Sequence, residues 1–381
     1  MHQWHTGLSP APRCIRQRSL SGTTISFSPR LSGTNNCSRH QRIGASMSAT
    51  QIVTMIDFEK PGKQLGQLAI PQSTNTSGWA TEYLPIAVIN GAPGPTALLF
   101  GGNHGDEYEG PVTLLNIAHT LEPDNLCGRV IIVPMLNRPA LAAGTRLSPL
   151  DGKNMNRVFP GRADGTITEM IAHYVTTVLF PLADLVIDIH SGGRSAHFLP
   201  LVCMHHVPNH EQLRSMIDLA LAWGAPYVLL YRDVAGTGLL PGEAERLGKL
   251  TLGAEMGSAA QFGVDMLSLT ERGVRNVLRQ ARILTDQTPD PPPASVQIMA
   301  ADQYDDYIMA TVSGIFEPFV EMGAWLVAGQ TIGQIHSIEQ PFASPTLVHA
   351  KTDGFLISRR AFPLVRQGDC LATLARPFHL P

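Results

Sequence analysis

The sequence predicts an α/β fold: a mixed, largely parallel sheet with helices on both faces, followed by a small C-terminal all-β domain. Three observations lead to this prediction. Short runs rich in Val, Ile and Leu alternate with longer segments of helical periodicity up to about residue 285. A Pro-rich stretch, TDQTPDPPPAS (285–295), then has the composition of a linker. After it, short apolar runs recur between Gly turns without a helical pattern.

The predicted strands are short apolar runs bounded by Gly, Pro and Asn, which is typical of buried strands. They are YLPIAVIN (83–90), PTALLFGG (95–102), GRVIIVPML (128–136), ADLVIDIH (183–190) and KLTLGAEMG (249–257). Polar clusters follow three of them, in GGNHGDE, DIHSGG and GAEMGS. Because ligands of open α/β sheets gather at the carboxyl ends of strands, this shared position indicates a functional site.

The predicted helices have apolar side chains at helical spacing. They are GPVTLLNIAHTL (110–121), TITEMIAHYVTTVLF (166–180), HEQLRSMIDLALAWG (210–224) and ERGVRNVLRQARIL (271–284). Pro111 suits the first turn of its helix because that turn does not need its backbone N–H. Thr166 or Thr168 could cap the second helix.

The charge distribution sets residues 1–47 apart from the rest of the chain. They hold six of the 28 Lys and Arg residues and no acid, which leaves 22 basic residues against 31 acidic ones. The segment is Ser-rich and has no long apolar block, so it does not fit a secretory signal. We expect a disordered tail or a start assigned too early, with Met47 as the natural start, and an organelle transit peptide is the less favoured alternative. The predicted domains are 48–288 and 289–381.

Composition excludes several classes of protein. The net charge of −3 does not indicate binding to nucleic acid or to an anionic membrane. No apolar run reaches the roughly 18 residues of a transmembrane helix. The five Cys residues are widely spaced without a CxxC motif, so neither a disulfide framework nor a thiolate metal site is predicted. We therefore expect a cytoplasmic protein with a small-molecule ligand.

The C-terminal segment resembles the barrel-sandwich pattern of biotinyl and lipoyl domains. The resemblance lies in the turns VEMGAWLVAGQ and VRQGDCL. A carrier domain needs a Lys on an exposed hairpin tip, but Lys351 comes where a strand should begin. We therefore expect this domain to be structural or to shape a substrate site.

A metal site is the most specific chemical prediction from the residues alone. His104 and Glu107 are spaced i and i+3, which places both side chains on one face of a helical turn. His190 ends a predicted strand. Two His and one carboxylate, with a position left for water, is a typical catalytic zinc set. Asp106 and Glu109 remain alternative ligands at this point.

Five motifs in order, GGNHGDE, GTR, NMNRVFPG, DIHSGG and GAEMGS, resemble the succinylglutamate desuccinylase/aspartoacylase family, which shares the fold of zinc carboxypeptidases. The resemblance covers roughly residues 95–285. The stretches GGNHGDEYEGP and NMNRVFPGRADGTITE further resemble the branch that deacetylates N-acetyl-L-2,4-diaminobutyrate in ectoine degradation.

The resemblance implies a role for seven residues. It makes His104, Glu107 and His190 the ligands of one zinc ion per chain. It makes Glu255 the general base, which takes a proton from water and returns it to the leaving amine. It assigns stabilisation of the oxyanion to Arg146 and binding of the substrate carboxylate to two residues, Asn156 and Arg157.

Other residues are weaker candidates. Asp188 precedes His190 by two positions on the same strand face and could orient that ligand. Tyr304 and Tyr307 could reach the site from the β domain, although packing roles are favoured. Ser191 has no GxSxG context, which argues against a serine nucleophile.

The predicted function is zinc-dependent hydrolysis of the amide bond of an N-acyl amino acid, with N-acetyl-L-2,4-diaminobutyrate as the best substrate. A carboxypeptidase on short peptides would use the same zinc set and stays open. A non-catalytic binding protein is the alternative from another class, and a homodimer is possible.

Overall fold

The described part of the chain comprises residues 50–232, 236–286 and 295–379 of a computed structural model. The predicted tail at 1–47 lies outside the described residues, as does most of the predicted linker. The described residues belong to one compact unit, Ser48–Pro381. The domain boundary at 288/289 falls within the undescribed linker and stays a prediction.

The described residues contain nineteen strands. They are β1 (Val53–Thr54), β2 (Gly62–Thr74), β3 (Ser77–Asn90), β4 (Ala92–Gly101), β5 (Cys127–Val133), β6 (Leu185–His190), β7 (Ala196–Phe198), β8 (Leu201–His205), β9 (Tyr227–Tyr231), β10 (Leu250–Glu255), β11 (Gln297–Ala301), β12 (Tyr307–Met309), β13 (Gly314–Pro318), β14 (Trp325–Leu326), β15 (Thr331–His336), β16 (Thr346–His349), β17 (Gly354–Arg360), β18 (Leu364–Val365) and β19 (Cys370–Pro377).

The helices connect the strands of the first 280 residues. They are α1 (Glu109–Thr120), α2 (Arg138–Ala143), α3 (Ile167–Tyr174), α4 (Phe180–Leu182), α5 (His210–Trp223), α6 (Leu240–Arg246) and α7 (Val264–Gln280). A π-helical turn, Val175–Leu179, joins α3 to α4. Among the described residues, no helix has the length and apolar character needed to cross a membrane.

The main sheet is mixed, as predicted, although antiparallel pairs slightly outnumber parallel ones along it. Its strand order is β1-β2-β3-β5-β4-β6-β10-β8-β9-β11-β19-β17-β14. Five neighbouring pairs are parallel, namely β4 with β5, β4 with β6, β6 with β10, β8 with β9, and β9 with β11. Strand β8 runs antiparallel to β10 and so reverses the direction of the sheet at its centre.

Helices cover both faces of this sheet, which confirms the predicted fold class. Leu99 and Ile187 point toward the face that packs against α1, α5 and α7. Their neighbours Leu98 and Val186 point to the opposite face, against α3, α4 and α6. Because successive side chains of a strand alternate between faces, a strand buried on both sides must be apolar throughout.

Local sequence explains where two of the helices begin. Thr166 is the N-cap of α3, and its capping box with Glu169 satisfies backbone N–H groups that the first turn leaves unpaired. Asn209 caps α5 by accepting hydrogen bonds from the N–H groups of Glu211 and Gln212. Gly224 ends α5 with φ of 81°, a left-handed conformation that glycine adopts without strain.

The C-terminal β region is a second small all-β part, as predicted. Strands β16, β15, β13 and β18 form a four-stranded sheet, and residues of this sheet and of β17 and β19 form a separate core around Phe316 and Leu356. Strands β19 and β17 continue the main sheet beyond β11, and β17 also pairs with β7. The C-terminal region is therefore joined to the main sheet by strand pairing.

Several elements differ from their predicted bounds. The helix predicted at 271–284 begins earlier and is α7, Val264–Gln280. The predicted helix 166–180 is interrupted by the π-helical turn. Strands β8 and β9 and the short helix α2 were not predicted. Elements of five to seven residues show too few repeats for periodicity to identify them.

Candidate active site

The candidate site lies at the carboxyl ends of β4, β6 and β10, where the polar clusters were predicted to meet. His104 and Glu107 occupy the turn between β4 and α1, and His190 is the last residue of β6. His104 and Glu107 are each 3% exposed. Two segments about 85 residues apart in the chain therefore contribute to one buried cluster.

Glu107 lies between the two imidazoles. Its Oε1 is 2.8 Å from His104 Nδ1, and its Oε2 is 2.8 Å from His190 Nδ1. The two imidazole rings have their centroids 5.1 Å apart. One ligand atom from each of the three side chains lies within 4.8 Å of the others.

A second layer of polar groups orients both imidazoles. His104 Nε2 donates to Asn154 Oδ1 at 3.1 Å, and His190 Nε2 donates to Asp188 Oδ2 at 2.8 Å. Asn103 Nδ2 donates to the same Asp188 oxygen at 2.9 Å. With each Nε2 engaged as a donor, each Nδ1 is the nitrogen that faces Glu107.

The protonation of this cluster follows from burial and charge. Burial alone would raise the pKa of Glu107, but the imidazoles of His104 and His190 lower it well below its usual range. Burial lowers the pKa of His104. Burial would also lower the pKa of His190, but the carboxylates of Asp188 and Glu107 raise it well above its usual range. The cluster thus concentrates negative charge next to two imidazoles, an environment that attracts a cation.

The donor set fits a divalent cation such as zinc. Two imidazole nitrogens and a carboxylate converge, and both imidazoles have the outer hydrogen-bond acceptors typical of metal ligands. A cation bound there would take over the role of the proton on His190, because imidazole binds a metal in its neutral form.

Glu255, the predicted general base, ends β10 directly opposite His190 on β6. Its Oε2 is buried and has no hydrogen-bond partner among the described residues. Burial raises the pKa of Glu255 to about 8; the carboxylate of Glu107 adds to the increase, while His190 and Arg146 oppose it. A carboxylate with such a raised pKa beside a reaction centre is suited to proton transfer near neutral pH.

The predicted arginines lie at the rim of the cluster. Arg146 Nη1 donates to Glu107 Oε1 at 3.2 Å, and its side chain is 40% exposed. Arg157 donates to the carbonyl of Asn156 at 2.6 Å. Asn156 is buried, and its Oδ1 accepts from Leu240 N at 2.7 Å, so the donor end of its amide is the group that could meet a carboxylate.

One cavity of about 310 Å³ is lined by all seven predicted site residues: His104, Glu107, Arg146, Asn156, Arg157, His190 and Glu255. Beyond Glu255 the wall continues over Leu201 and Leu229 of β8 and β9. Ile357 and Thr373 of the C-terminal region also line the cavity, so this region helps to shape it.

Three of the weaker candidates line the cavity, and the fourth, Tyr304, does not. Asp188 contacts His190, a predicted ligand, and Tyr307 lines the cavity. Tyr304 is 63% exposed and lies beneath the ammonium group of Lys351, outside the cavity lining. Ser191 donates its backbone N–H to Glu107 Oε2 at 3.4 Å.

Sequence reasoning missed Asn154, which belongs to the same NMNR motif as Asn156 and Arg157. Its contact with His104 could have been suspected from the motif, since ligand histidines need an acceptor for their second nitrogen. The structure also shows where the two alternative ligands, Asp106 and Glu109, lie. Asp106 Oδ2 accepts from Arg194 N at 2.9 Å, and Glu109 lies outside the group of converging ligand atoms.

The fold and the site define a class of protein. Residues 93–281 match the succinylglutamate desuccinylase/aspartoacylase catalytic domain. The chain belongs to this family, which confirms the resemblance seen in the sequence. It is accordingly a hydrolase of the deacylase type.

Individual relatives are similar along nearly the whole chain. The N-alpha-acetyl-L-2,4-diaminobutyric acid deacetylase of Halomonas elongata is 38% identical over 326 residues, or 85% of this chain and 94% of that protein. A succinylglutamate desuccinylase/aspartoacylase from Rhodobacter sphaeroides superposes with a TM-score of 0.82 at 34% identity, covering 87% of this chain and 100% of the other. The product-bound ectoine utilization protein EutE (DoeB) from Ruegeria pomeroyi gives 0.81 at 34%, covering 86% and 99%.

Proposed function

We propose that this enzyme uses zinc to hydrolyse N-acetyl-L-2,4-diaminobutyrate to acetate and L-2,4-diaminobutyrate. The single observation that carries the chemistry is the convergence of His104, Glu107 and His190 beside the buried Glu255. The substrate is supported by the Halomonas elongata relative, which is named a deacetylase of this compound. The similarity to an ectoine utilization protein supports a role in ectoine degradation.

The three converging side chains would hold the zinc ion. When bound, zinc supplies a Lewis acid that polarises the carbonyl of the scissile amide. Asp188 and Asn154 keep the two imidazoles oriented through their Nε2 atoms.

Glu255 moves the proton of the reaction. It accepts a proton from the attacking water as the oxygen of that water bonds to the acyl carbon. It then delivers the proton to the amide nitrogen as the C–N bond breaks, so that acetate and a free amine leave. Its unpartnered Oε2 is free of competing hydrogen bonds within the described residues.

The two arginines bind negatively charged groups of the reacting substrate. Arg146 lies beside Glu107, where its guanidinium can donate to the oxyanion that develops on the acyl carbonyl. Arg157 and the amide nitrogen of Asn156 bind the carboxylate of the amino acid, for which a planar guanidinium is well suited. Arg146, Arg157 and Asn156 together fix the position of the scissile amide bond relative to Glu255.

The test is an activity screen of zinc-loaded protein. N-acetyl-L-2,4-diaminobutyrate, other N-acetyl amino acids and dipeptides would be compared by detecting the released amine. We expect kcat/KM to be highest for N-acetyl-L-2,4-diaminobutyrate. Faster cleavage of dipeptides would favour the carboxypeptidase alternative, and no cleavage of any compound would favour a binding protein.

A further inference from the structure

Glu109 is a buried acid to which the proposed mechanism gives no role. It is the first residue of α1, two positions after Glu107, and it is 2% exposed. Its Oε1 is buried without a hydrogen-bond partner among the described residues. Because burying a carboxylate without full compensation is costly, the surroundings of Glu109 call for an explanation.

The carboxylate of Glu109 lies next to two loops, one that follows His190 and one that follows Glu255. The side chain of Ser191, next after His190, lies close enough to interact with it. Its Oε1 also lies against Gly257, two positions after Glu255. A Cβ added at Gly257 would lie 2.0 Å from Oε1, so only glycine leaves room for the carboxylate there.

The loops after β6 and β10 run side by side at this point. Met256 N donates to His190 O at 2.9 Å, and Gly192 N donates to Gly257 O at 3.2 Å. Ala260 has φ of 52°, a left-handed conformation that costs a non-glycine residue free energy. The loop after β10 thus leaves its strand along a constrained path, with Glu109 packed against its first turn.

We propose that Glu109 is a positioning residue that fixes His190 and Glu255 relative to Glu107. This inference rests on the proposed function. One buried side chain at the start of α1 touches the loop of the proposed histidine ligand and the loop of the proposed general base, and its helix begins two residues after Glu107. Misplacement of a reacting group by about 1 Å can cost about a hundredfold in rate. A residue that fixes such a group therefore affects the rate without touching the substrate.

The principal test compares Glu109→Ala with Glu109→Gln. We expect Glu109→Ala to lower kcat by about ten- to a hundredfold, with KM changed less than about threefold. We also expect its zinc affinity, measured by competition with a chromophoric chelator, to fall by about tenfold. Glu109→Gln keeps the shape and a polar group next to Ser191 and Gly257, so it should restore most of both quantities. Asn116→Ala, on the exposed side of α1, is the matched control.

Two further variants keep the proposal testable if Glu109→Ala does not fold. Gly257→Ala should displace the carboxylate and also strain the backbone, because φ of Gly257 is 115°, so its lower kcat supports the proposal only if the absorption spectrum of the cobalt-substituted protein also shifts. Ser191→Ala removes the polar side chain next to Glu109 and should have a smaller effect in the same direction. Absorption spectra of the cobalt-substituted proteins would show whether the ligand geometry has shifted.

The possible failures can be told apart. If the wild type neither binds zinc nor hydrolyses any acyl amino acid, the proposed function is wrong. If the wild type is active and the folded Glu109→Ala protein matches it in kcat, zinc affinity and cobalt spectrum, the positioning role is wrong. A lower melting temperature with all three quantities unchanged would also overturn it, because it would show a purely structural role.

Discussion

Glu255 and His190 are paired residue for residue at the ends of two adjacent parallel strands, β10 and β6. Paired residues of neighbouring strands point to the same face of a sheet and lie about 5 Å apart. The proposed general base and a proposed metal ligand are therefore set one strand apart by backbone hydrogen bonds. We attribute the relative position of Glu255 and His190 to this strand register.

Replacing Glu255 by Gln should remove proton transfer and leave metal binding intact. We expect kcat to fall by about a hundred- to ten-thousandfold, because the amide cannot accept the proton of the attacking water. Zinc content, measured by elemental analysis, should equal that of the wild type. Glu271→Gln on α7 is the control and should be fully active. Full activity of Glu255→Gln would remove this residue from the mechanism.

Replacing Asp188 by Asn should lower the affinity of the site for zinc. The carboxylate accepts hydrogen bonds from both His190 and Asn103, and the neutral amide is a poorer acceptor. We expect a loss of zinc affinity of about ten- to a hundredfold, measured by chelator competition. Asp218→Asn, on the exposed surface of α5, should not change the affinity. Equal affinities for the wild type and the Asp188 variant would contradict this role.

Removing the metal should abolish activity and lower stability. Ligand that binds only the folded state adds about 2.7 kcal/mol to the free energy of unfolding at a concentration a hundred times its Kd. We expect dialysis against a chelator to lower the melting temperature in calorimetry, and zinc to restore both temperature and activity. His104→Ala should show neither effect of zinc. A chelated protein that keeps its full activity would rule out the metal mechanism.

Asp151 should support the loop that carries Arg146, Asn156 and Arg157. It accepts hydrogen bonds from the backbone N–H of Thr168 at 3.0 Å and from the Thr168 hydroxyl at 2.8 Å, which tie the loop to α3. Asp151→Ala should cost about 1–2 kcal/mol of unfolding free energy in urea titration at pH 7. Because the loop holds the proposed carboxylate-binding residues, KM should rise more than kcat falls.

The contribution of Asp151 should also depend on pH. Burial would raise the pKa of Asp151, but its hydrogen bonds with Thr168, Thr166 and Lys153 outweigh burial and lower the pKa below its ordinary value of 3.8. The stabilisation is therefore complete above that value and is lost as the pH falls through the folded-state pKa. The difference in stability between the wild type and Asp151→Ala should shrink in acid. A difference that stays constant from pH 7 to pH 3 would contradict this account.

The elements predicted correctly are those with long or strongly apolar patterns. The segment 183–190 reads as a buried strand because it is almost continuously aliphatic, and β6 occupies Leu185–His190. The segment 210–224 reads as a helix because its apolar residues recur at helical spacing before a Gly, and α5 ends at Trp223. Strand β9 has only five residues, and the antiparallel position of β8 depends on partners that local sequence does not specify.

Part of the candidate site could be predicted because its motifs are local. His104 and Glu107 lie three residues apart, and the ordered motifs around them resemble a known family. The lining contributed by Ile357 and Thr373 could not be predicted, because it depends on how the C-terminal strands join the sheet through β19. The contacts of Glu109 with Ser191 and Gly257 likewise join segments more than 80 residues apart.

The sequence by itself determined the residue types of the site, the strands that end in them and the family to which the chain belongs. Apolar runs and short motifs are properties of neighbouring residues, so they can be read without coordinates. Only the tertiary structure decided which oxygen faces which imidazole, which glycine makes room for a carboxylate and which walls close the cavity. Those relationships arise from strand register and from packing between distant segments, which set positions to within a fraction of an ångström.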